Sequence, residues 1–320
     1  MDFKQEKIEK IGSMIMEGAR SNLYVAMRYL DLAIFALSPQ SDENIEIMGT
    51  DGDRIFYSSP LLIEEYKKNS RQLNRTYLHS VFHCLFRHLF NSVKYTEEDQ
   101  TYWDIACDIA VEYIIDDLNI SVINPIVSRY RTYIYKRLSV ELDMDILTAE
   151  GIYKTLKTWD FSDSDFKIMY KAFKTDDHGY WQRPQGGKNP PPMQGNNSDD
   201  DNEGDDPTPP DGIANVKKSE DKWKDLSERT ASSAEHINRE AGEGEGNLLV
   251  HLKAVNRRRY DYKEFLRRFA VYGEEVKPDP DSFDPGFYAY GLSLYGNMPI
   301  IEPLEFREVK KVSDFVIVID

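Results

Sequence analysis

The sequence contains little cysteine, no long apolar run and no leader-like start. Only two of its 320 residues are cysteines, Cys84 and Cys107. Both lie in helical patterns, so we expect reduced, buried thiols rather than a disulfide framework. No stretch of about 18 apolar residues occurs, which argues against a membrane span. The charged start "MDFKQEKIEKIG" also lacks the apolar core of a signal peptide. These absences predict a cytoplasmic protein.

Positive charge is also scarce relative to negative charge. The chain has 40 lysines and arginines against 56 aspartates and glutamates, which gives a formal net charge of −16 and a pI of about 4.9. This balance opposes binding to nucleic acid and to anionic membranes, because both carry negative charge. The composition is 40% hydrophobic over 320 residues, which is sufficient for a folded core and suggests about two domains.

Most apolar residues recur at helical spacing, and this predicts a mainly α (α+β) fold. The segments "TYWDIACDIAVEYIIDDL" and "SDFKIMYKAFK" are two such helices. Two short apolar runs flank Gly49-Thr50-Asp51-Gly52, which is a signal for a small β-hairpin or sheet edge. We place these elements in a first domain over residues 1–183.

The composition changes after residue 183. Residues 184–212 hold seven prolines, seven acidic residues and one lysine, so they cannot bury enough apolar surface to offset the entropy of ordering. We therefore predict an acidic, Pro/Gly-rich disordered linker over 184–220, with an acidic binding tail as the alternative. Helical patterns and an irregular connector follow over 221–311. The apolar run "DFVIVID" predicts a buried parallel strand over 312–320.

Three of the six histidines lie in "LHSVFHCLFRH", residues 78–88, within a helix expected over about 72–91. His79 and His83 are one turn apart on one face, a spacing at which two imidazoles bind one Zn²⁺ at about 2.0–2.1 Å. His88 can join them only where the helix ends or bends, and otherwise it satisfies a neighbour. Such a pair also occurs as hydrogen-bonding groups in a helix core, so the spacing leaves both interpretations open.

The next helix supplies candidates for a third ligand. Asp104, Asp108 and Glu112 form one acidic stripe on an otherwise apolar segment. Carboxylates that face a core are costly unless they are paired or bind a metal. The later segment "DDHGYW" adds two aspartates and His178, although an ordered loop histidine is the simpler interpretation of His178. The stripe favours a metal site without identifying its full set of ligands.

The catalytic carboxylate of a zinc peptidase is missing from the histidine helix. In zincins the residue after the first histidine is a glutamate, which polarises the metal-bound water and shuttles its proton. Here that residue is Ser80, a hydroxyl with no pKa near 7. Glu112 can substitute only where the fold brings it to the water. Three interpretations therefore stay open: a metal-binding domain without peptidase activity, an active zinc peptidase with another base, and a metal-free helical interaction scaffold.

In their order along the chain, several segments resemble a bacterial family with an N-terminal metallopeptidase-like domain and a C-terminal von Willebrand factor A-like domain. They are "DRIFYSSP", "LHSVFHCLFRH", "YWDIACDIAVEYII", "DDHGYW" and "YDYKEFLRRF", and "FVIVID" resembles the first strand of the von Willebrand A domain. The resemblance covers most of the chain outside the acidic segment. It implies a zincin-like domain over 1–183, with zinc as the cofactor and a protein or peptide as a possible substrate.

Carried over to this sequence, the resemblance implies His79, His83 and Asp108 as metal ligands, with His88 as the alternative third ligand. Asp320 would be the first ligand of a metal-ion-dependent adhesion motif, whose other residues do not follow it. We therefore expect a chain truncated before the von Willebrand A domain. Similar proteins are typically encoded beside a MoxR-type AAA+ ATPase, which implies such an ATPase as a partner.

The departures from the family pattern decide which interpretation we favour. Ser80 replaces the family's catalytic glutamate, and Asp104 and Glu112 replace amides. We predict a pseudo-peptidase: a zinc-binding domain with no assigned catalytic residue, which works as a partner-coupling module with the ATPase. The alternatives remain an active peptidase that uses Glu112 or another carboxylate, and a metal-free scaffold.

Overall fold

The computed structural model describes residues 3–126, 128–143, 146–181, 211–241, 246–257 and 270–312. Helices dominate these residues and a small three-stranded sheet accompanies them, which confirms the mainly α (α+β) fold. The chain divides into two units, residues 1–257 and 258–320. Among the described residues, no helix is both long enough and apolar enough to cross a membrane.

The first unit contains ten helices numbered in chain order, three short 3-10 helices and the three-stranded sheet, within the described residues. In order along the chain they are α1 (Phe3–Ala26), a 3-10 helix (Arg28–Leu30), α2 (Asp31–Ile34), β1 (Ser38–Ser41), β2 (Gly49–Thr50), β3 (Arg54–Tyr57), α3 (Ser59–Leu85), α4 (His88–Asn91), a 3-10 helix (Ser92–Lys94), α5 (Glu97–Leu118), α6 (Arg129–Leu142), α7 (Ala149–Leu156), α8 (Asp163–Phe173), a 3-10 helix (His178–Tyr180), α9 (Asp211–Ala241) and α10 (Asn247–Asn256).

The sheet has the order β1-β3-β2. β2 pairs antiparallel with β3, so the hairpin expected around "GTDG" is confirmed. Gly52 has a φ of +97° in the connection, a backbone conformation that favours glycine. β1 pairs parallel with β3, with Ser38 opposite Arg54. The sequence did not indicate β1, because "SPQS" has neither apolar alternation nor β-branched residues.

α3 is the helix that positions the site. Pro60 occupies its first turn, and Asn69 interrupts it with extended backbone (φ −161°, ψ 100°). After this break every residue from 73 to 85 is buried, between α1 on one side and α5 on the other. The helix ends at Leu85, not near residue 91 as expected. Arg87 adopts a left-handed conformation (φ 60°), and α4 begins at His88.

α7 and α8 pack against α5, and α6 packs against α7 and α8. Each begins with a polar side chain that accepts a hydrogen bond from a backbone N–H of its first turn: Ser128, Thr148 and Ser162. Such N-caps satisfy donors that a helix leaves unpaired. The segment that follows α8, residues 174–181, lies at the edge of the sheet, where Asp177 bridges to Gly49.

α9 and α10 belong to the same unit as the preceding helices. Trp223 of α9 is fully buried and its Nε1 donates to the carbonyl of Gly52. α9 begins at Asp211, so the segment expected to be a disordered linker over 184–220 is helical over 211–220. Residues 184–210 lie outside the described residues, and the domain division at residue 183 stays a prediction.

The second unit contains β4 (Ala270–Phe283), α11 (Pro285–Tyr295) and β5 (Pro303–Val312) within its described residues. β4 and β5 pair antiparallel, with Ala270 opposite Val312. The expectation of an irregular connector here was wrong, because this pairing joins segments distant in sequence. Asp284 also caps α11 by accepting from two backbone N–H groups. A strand was expected over 312–320. Of these residues only residue 312 is described, so this strand and Asp320 lie outside the described residues.

Candidate metal centre

The first two donor groups of the centre lie on α3. His79 and His83 are one turn apart in the buried half of the helix, and neither side chain is exposed. Their Nε2 atoms are 2.8 Å apart, and their rings meet edge to face with centroids 4.5 Å apart. Helical spacing thus places both imidazoles on one face, with their Nε2 atoms directed to a common point.

α5 brings a carboxylate to the same point. Oδ1 of Asp108 lies 3.2 Å from Nε2 of His79 and 3.3 Å from Nε2 of His83. It also lies 3.1 Å from Nε2 of His178. Asp104, one turn earlier, instead faces Nδ1 of His178 at 3.7 Å. Within the acidic stripe on α5, Asp108 therefore lies in the centre, and Asp104 lies behind it, next to the other ring nitrogen of His178.

The segment after α8 supplies two more donors. Asp177 N donates to Met48 O at 2.8 Å, and Asp177 forms a parallel bridge with Gly49 at the sheet edge. Asp176 and His178, on either side of Asp177, then reach the centre. Oδ1 of Asp176 lies 2.9 Å from Nε2 of His178. Residues 174–178, which we call the ligand loop, are thus anchored to the sheet and contribute two side chains.

Five side chains meet in this cluster: His79, His83, Asp108, Asp176 and His178. One potential ligand atom from each lies within 4.8 Å of all the others. The contacts given above span 2.8–3.3 Å. Ligand atoms in a tetrahedral zinc site are about 3.3–3.4 Å apart, from bonds of about 2.0–2.1 Å. The donor set therefore fits a metal ion.

The surroundings of Oδ1 of Asp176 support the same fit. Oδ1 of Asp176 is buried, and no donor among the described residues is aligned with it in good hydrogen-bond geometry. It lies 3.5 Å from Nε2 of His79 and 3.7 Å from Nε2 of His83. The only contacts of this oxygen among the described residues are to imidazole nitrogens, including the 2.9 Å approach of Nε2 of His178, and a cation among these nitrogens would bind the same oxygen.

The protonation equilibria of the cluster show how strongly its groups interact. Burial lowers the pKa of His79 and His178, but the neighbouring carboxylates raise both well above the usual value. Burial lowers the pKa of His83 to about 4. The pKa values of Asp108 and Asp176 lie below their usual range, because the histidines outweigh the effect of burial. The imidazoles and the two carboxylates therefore stabilise each other's charged forms, and a divalent cation can take the place of protons in such a cluster.

The centre is enclosed in this conformation. His178 is 8% exposed, and the other four donor residues are at most 1% exposed. Trp181, itself fully buried, stacks on His178 with ring centroids 3.7 Å apart. The arrangement holds donors around a point in the core and does not present them at an open cleft.

Ser80 faces the ligand loop. Its Oγ donates to Oδ2 of Asp176 at 3.0 Å, and its side chain is fully buried. The position that carries a glutamate in zincins thus carries a hydroxyl that holds one of the cluster's own carboxylates. This contact leaves Oδ1 of Asp176 directed at the histidines.

Glu112, the alternative base considered from the sequence, is occupied on both oxygens. Oε1 lies 2.8 Å from Nδ1 of His79 and accepts from Oγ1 of Thr175 at 3.2 Å. Oε2 accepts from the guanidinium groups of Arg75 and Arg131. Burial raises the pKa of Glu112, but His79 and the two arginines lower it by more, so the pKa lies below its usual range. A carboxylate so engaged does not suit the role of a general base.

His88 lies behind the cluster, not in it. Its Nδ1 is 3.0 Å from Nδ1 of His83, the nitrogen on the far side of that ring from the other donors. His88, which the sequence offered as the alternative third ligand, is therefore not among the grouped donors and contacts His83 from outside the cluster. Cys84 and Cys107 are buried free thiols and are not in the cluster.

Sequence reasoning did not assign Asp176 and His178 as donors. Their signal was present in "DDHGYW", where acidic residues and a histidine adjoin aromatic residues. The local pattern cannot show that this segment, more than ninety residues after His79, returns to α3. The bridge between Gly49 and Asp177 is the long-range contact that places it there.

Comparison with known proteins agrees with this chemistry. A family model described as "Putative metallopeptidase domain" matches residues 14–283, a range that contains every residue of the cluster. No curated protein and no solved structure matches the chain. The matched range continues past residue 183 and includes α9 and α10.

Proposed function

Since this chain belongs to the family described as "Putative metallopeptidase domain", we propose that it is a zinc-binding, metallopeptidase-like domain that no longer hydrolyses peptides. The observation that carries the proposal is the position after the first histidine of the helix. There Ser80 donates to Asp176, where a hydrolytic centre of this kind needs a carboxylate.

The donor set supports zinc as the metal. Three imidazole nitrogens and two carboxylate oxygens are ligands that zinc accepts, whereas Mg²⁺ and Ca²⁺ prefer oxygen alone. His79, His83 and His178 would hold the ion with Asp108, and Asp176 would complete its surroundings. A bound zinc ion supplies Lewis-acid chemistry. The two carboxylates together would neutralise its charge in the core.

The loss of hydrolysis follows from the residues around the centre. The hydroxyl of Ser80 has no pKa near neutrality, and Glu112 is held by two arginines and His79. The five donors are buried, so a peptide would have to displace Trp181 or neighbouring residues to reach them. These features favour a metal that stabilises the fold and shapes the domain over one that acts on substrate.

The role in the cell that we propose is coupling to a partner. The resemblance to proteins encoded beside a MoxR-type AAA+ ATPase supports such an ATPase as the partner, with a von Willebrand A domain as part of the same system. A domain whose fold depends on a metal can present a fixed surface to an ATPase without cutting peptides. The partnership is a proposal from the resemblance alone.

Metal content tests the proposal directly. We expect about one zinc per chain in protein purified without a His-tag, loss of that zinc in His83→Ala, and retention in His236→Ala. His236 is an exposed histidine of α9 and is the matched control. Elemental analysis after zinc reconstitution gives the answer. No zinc in wild type, or equal loss in both variants, would contradict the proposal.

Peptidase assays test the second half of the proposal. Zinc-loaded wild type should cleave no peptide from a mixed unstructured-protein digest, and Ser80→Glu is the variant in which a general base is restored. Zinc-dependent cleavage by wild type that His83→Ala abolishes would establish the active peptidase instead.

A further inference from the structure

The carboxylate of Glu112 joins α5, on which it lies, to three other parts of the first unit. Arg75 and His79 reach it from α3, Arg131 from α6 and Thr175 from the ligand loop. Neither Glu112 nor Arg75 is exposed, and Arg131 is 4% exposed. Two buried guanidinium groups on one carboxylate are an uncommon arrangement, because each buried charge carries a desolvation cost.

The two arginines favour the ionised form of Glu112, which can only accept hydrogen bonds. Both guanidinium groups donate to Oε2, and Asp116 accepts from both as well. An ionised carboxylate accepts hydrogen bonds and donates none. Because Oε1 lies 2.8 Å from Nδ1 of His79, that nitrogen must carry the proton. Nε2 of His79 is then the nitrogen left to bind a metal, and it is the one that faces the cluster.

Arg131 also binds the backbone just before the ligand loop. Its Nε donates to the carbonyl of Ala172 at 2.9 Å, near the end of α8. Three residues further on, Oγ1 of Thr175 donates to Oε1 of Glu112. Asp176 and His178 follow directly. One arginine thus fixes both the start of the ligand loop and the carboxylate that orients a ligand on α3.

We propose that Arg75 and Arg131 are positioning residues of the metal centre, acting through Glu112. They keep His79 in the orientation that directs Nε2 to the metal, and they hold the ligand loop in register with α3 and α5. This deepens the proposed function and rests on it, since it requires that the cluster binds a metal. Groups that orient a ligating histidine commonly change metal affinity by about 10–100-fold when removed.

The test compares three variants of the full chain. Arg131→Met removes the guanidinium; Arg131→Lys restores the charge without the planar fork. Arg129→Met makes the same change at an exposed position of the same helix. Zinc affinity is measured by competition with a chromophoric chelator, and the visible spectrum of Co²⁺-loaded protein reports the coordination. Thermal unfolding of the metal-free protein is measured alongside.

We expect Arg131→Met to weaken zinc binding about 10–100-fold and to alter the Co²⁺ spectrum, with partial recovery in Arg131→Lys and wild-type behaviour in Arg129→Met. An Arg131→Met protein that is only less heat-stable, with wild-type affinity and spectrum, would overturn the inference. If Arg131→Met does not fold, Thr175→Val removes only the hydroxyl that ties the ligand loop to Glu112, and a several-fold weaker affinity is expected. Wild-type protein that binds no metal would overturn the proposed function itself, whatever the variants do.

Discussion

His251 is a buried polar residue that the metal centre does not use. It lies on α10 with no exposed surface, and its ring centroid is 4.2 Å from that of Phe86. Neither ring nitrogen has a hydrogen-bond partner among the described residues. Burial lowers its pKa to about 4. The folded protein therefore keeps this histidine neutral and pays part of its stability for two unpaired nitrogens.

Replacing His251 by leucine should stabilise the protein, and more so in acid. At pH 7 we expect a gain of about 1–2 kcal/mol from removing the unpaired groups. Below about pH 6.5 the unfolded chain binds a proton that the folded protein binds only near pH 4, so wild type loses stability as the pH falls through that window. At pH 5 the variant should gain about 2 kcal/mol more.

Denaturant unfolding at pH 7 and pH 5 measures the effect of His251→Leu. His236→Leu, at an exposed position of α9, is the control for the same replacement outside the core. The expected result is that His251→Leu exceeds wild type in unfolding free energy by more at pH 5 than at pH 7. An equal excess at both pH values would show that His251 is not held neutral in the fold.

At the residue scale, the sequence predicted the donors whose spacing is local. His79 and His83 are one helical turn apart, so their shared face could be inferred from α-helix geometry alone. His88, the alternative third ligand, lies outside the cluster although α3 does end before it, at Leu85. Asp176 and His178 depend on tertiary pairing that no local pattern contains.

At the element scale, the ligand loop depends on a close approach to the sheet. A Cβ on Gly49 would lie 2.5 Å from the carbonyl oxygen of Asp177. Only glycine allows this separation, because the clashing atom belongs to the backbone of the loop and cannot rotate away. The sequence marked Gly49 as part of a hairpin turn, and the structure gives it this second requirement.

Gly49→Ala should therefore displace the ligand loop. We expect a loss of about 1–3 kcal/mol in unfolding free energy, together with at least several-fold weaker zinc binding. Gly18→Ala is the matched control, since no atom lies within 4 Å of a Cβ at that exposed position of α1. There the change should be neutral or stabilising by about 0.5–1 kcal/mol. Wild-type zinc affinity in Gly49→Ala would show that the bridge does not position the loop.

The elements themselves were predictable to different degrees. The buried helices α3 and α5 have long apolar patterns, and the hairpin of β2 and β3 has a turn signal. β1 lacks both signals and forms because a parallel partner, β3, is available. The paired strands β4 and β5 were interpreted as irregular because Gly, Pro and Tyr dominate their surroundings.

At the scale of the whole molecule, the first unit assembles one centre from distant parts of the chain. Residues 79–83, 108 and 176–178 supply the donors, and the range matched by the family model contains all of them. The strongly acidic composition indicated nothing about this centre, because its carboxylates are buried and paired with histidines. Pairing with an ATPase and a von Willebrand A domain stays a prediction from the resemblance.

X-ray absorption spectroscopy of the zinc-loaded full chain reports which atoms bind the metal. We predict a zinc ion with nitrogen and oxygen ligands at about 2.0–2.1 Å, multiple-scattering features of about three imidazoles and no sulfur ligand. That result would identify the cluster of His79, His83, His178 and the two aspartates as the metal site. Zinc–sulfur scattering at about 2.3 Å, which would indicate Cys84 or Cys107, or the absence of imidazole scattering, would contradict it.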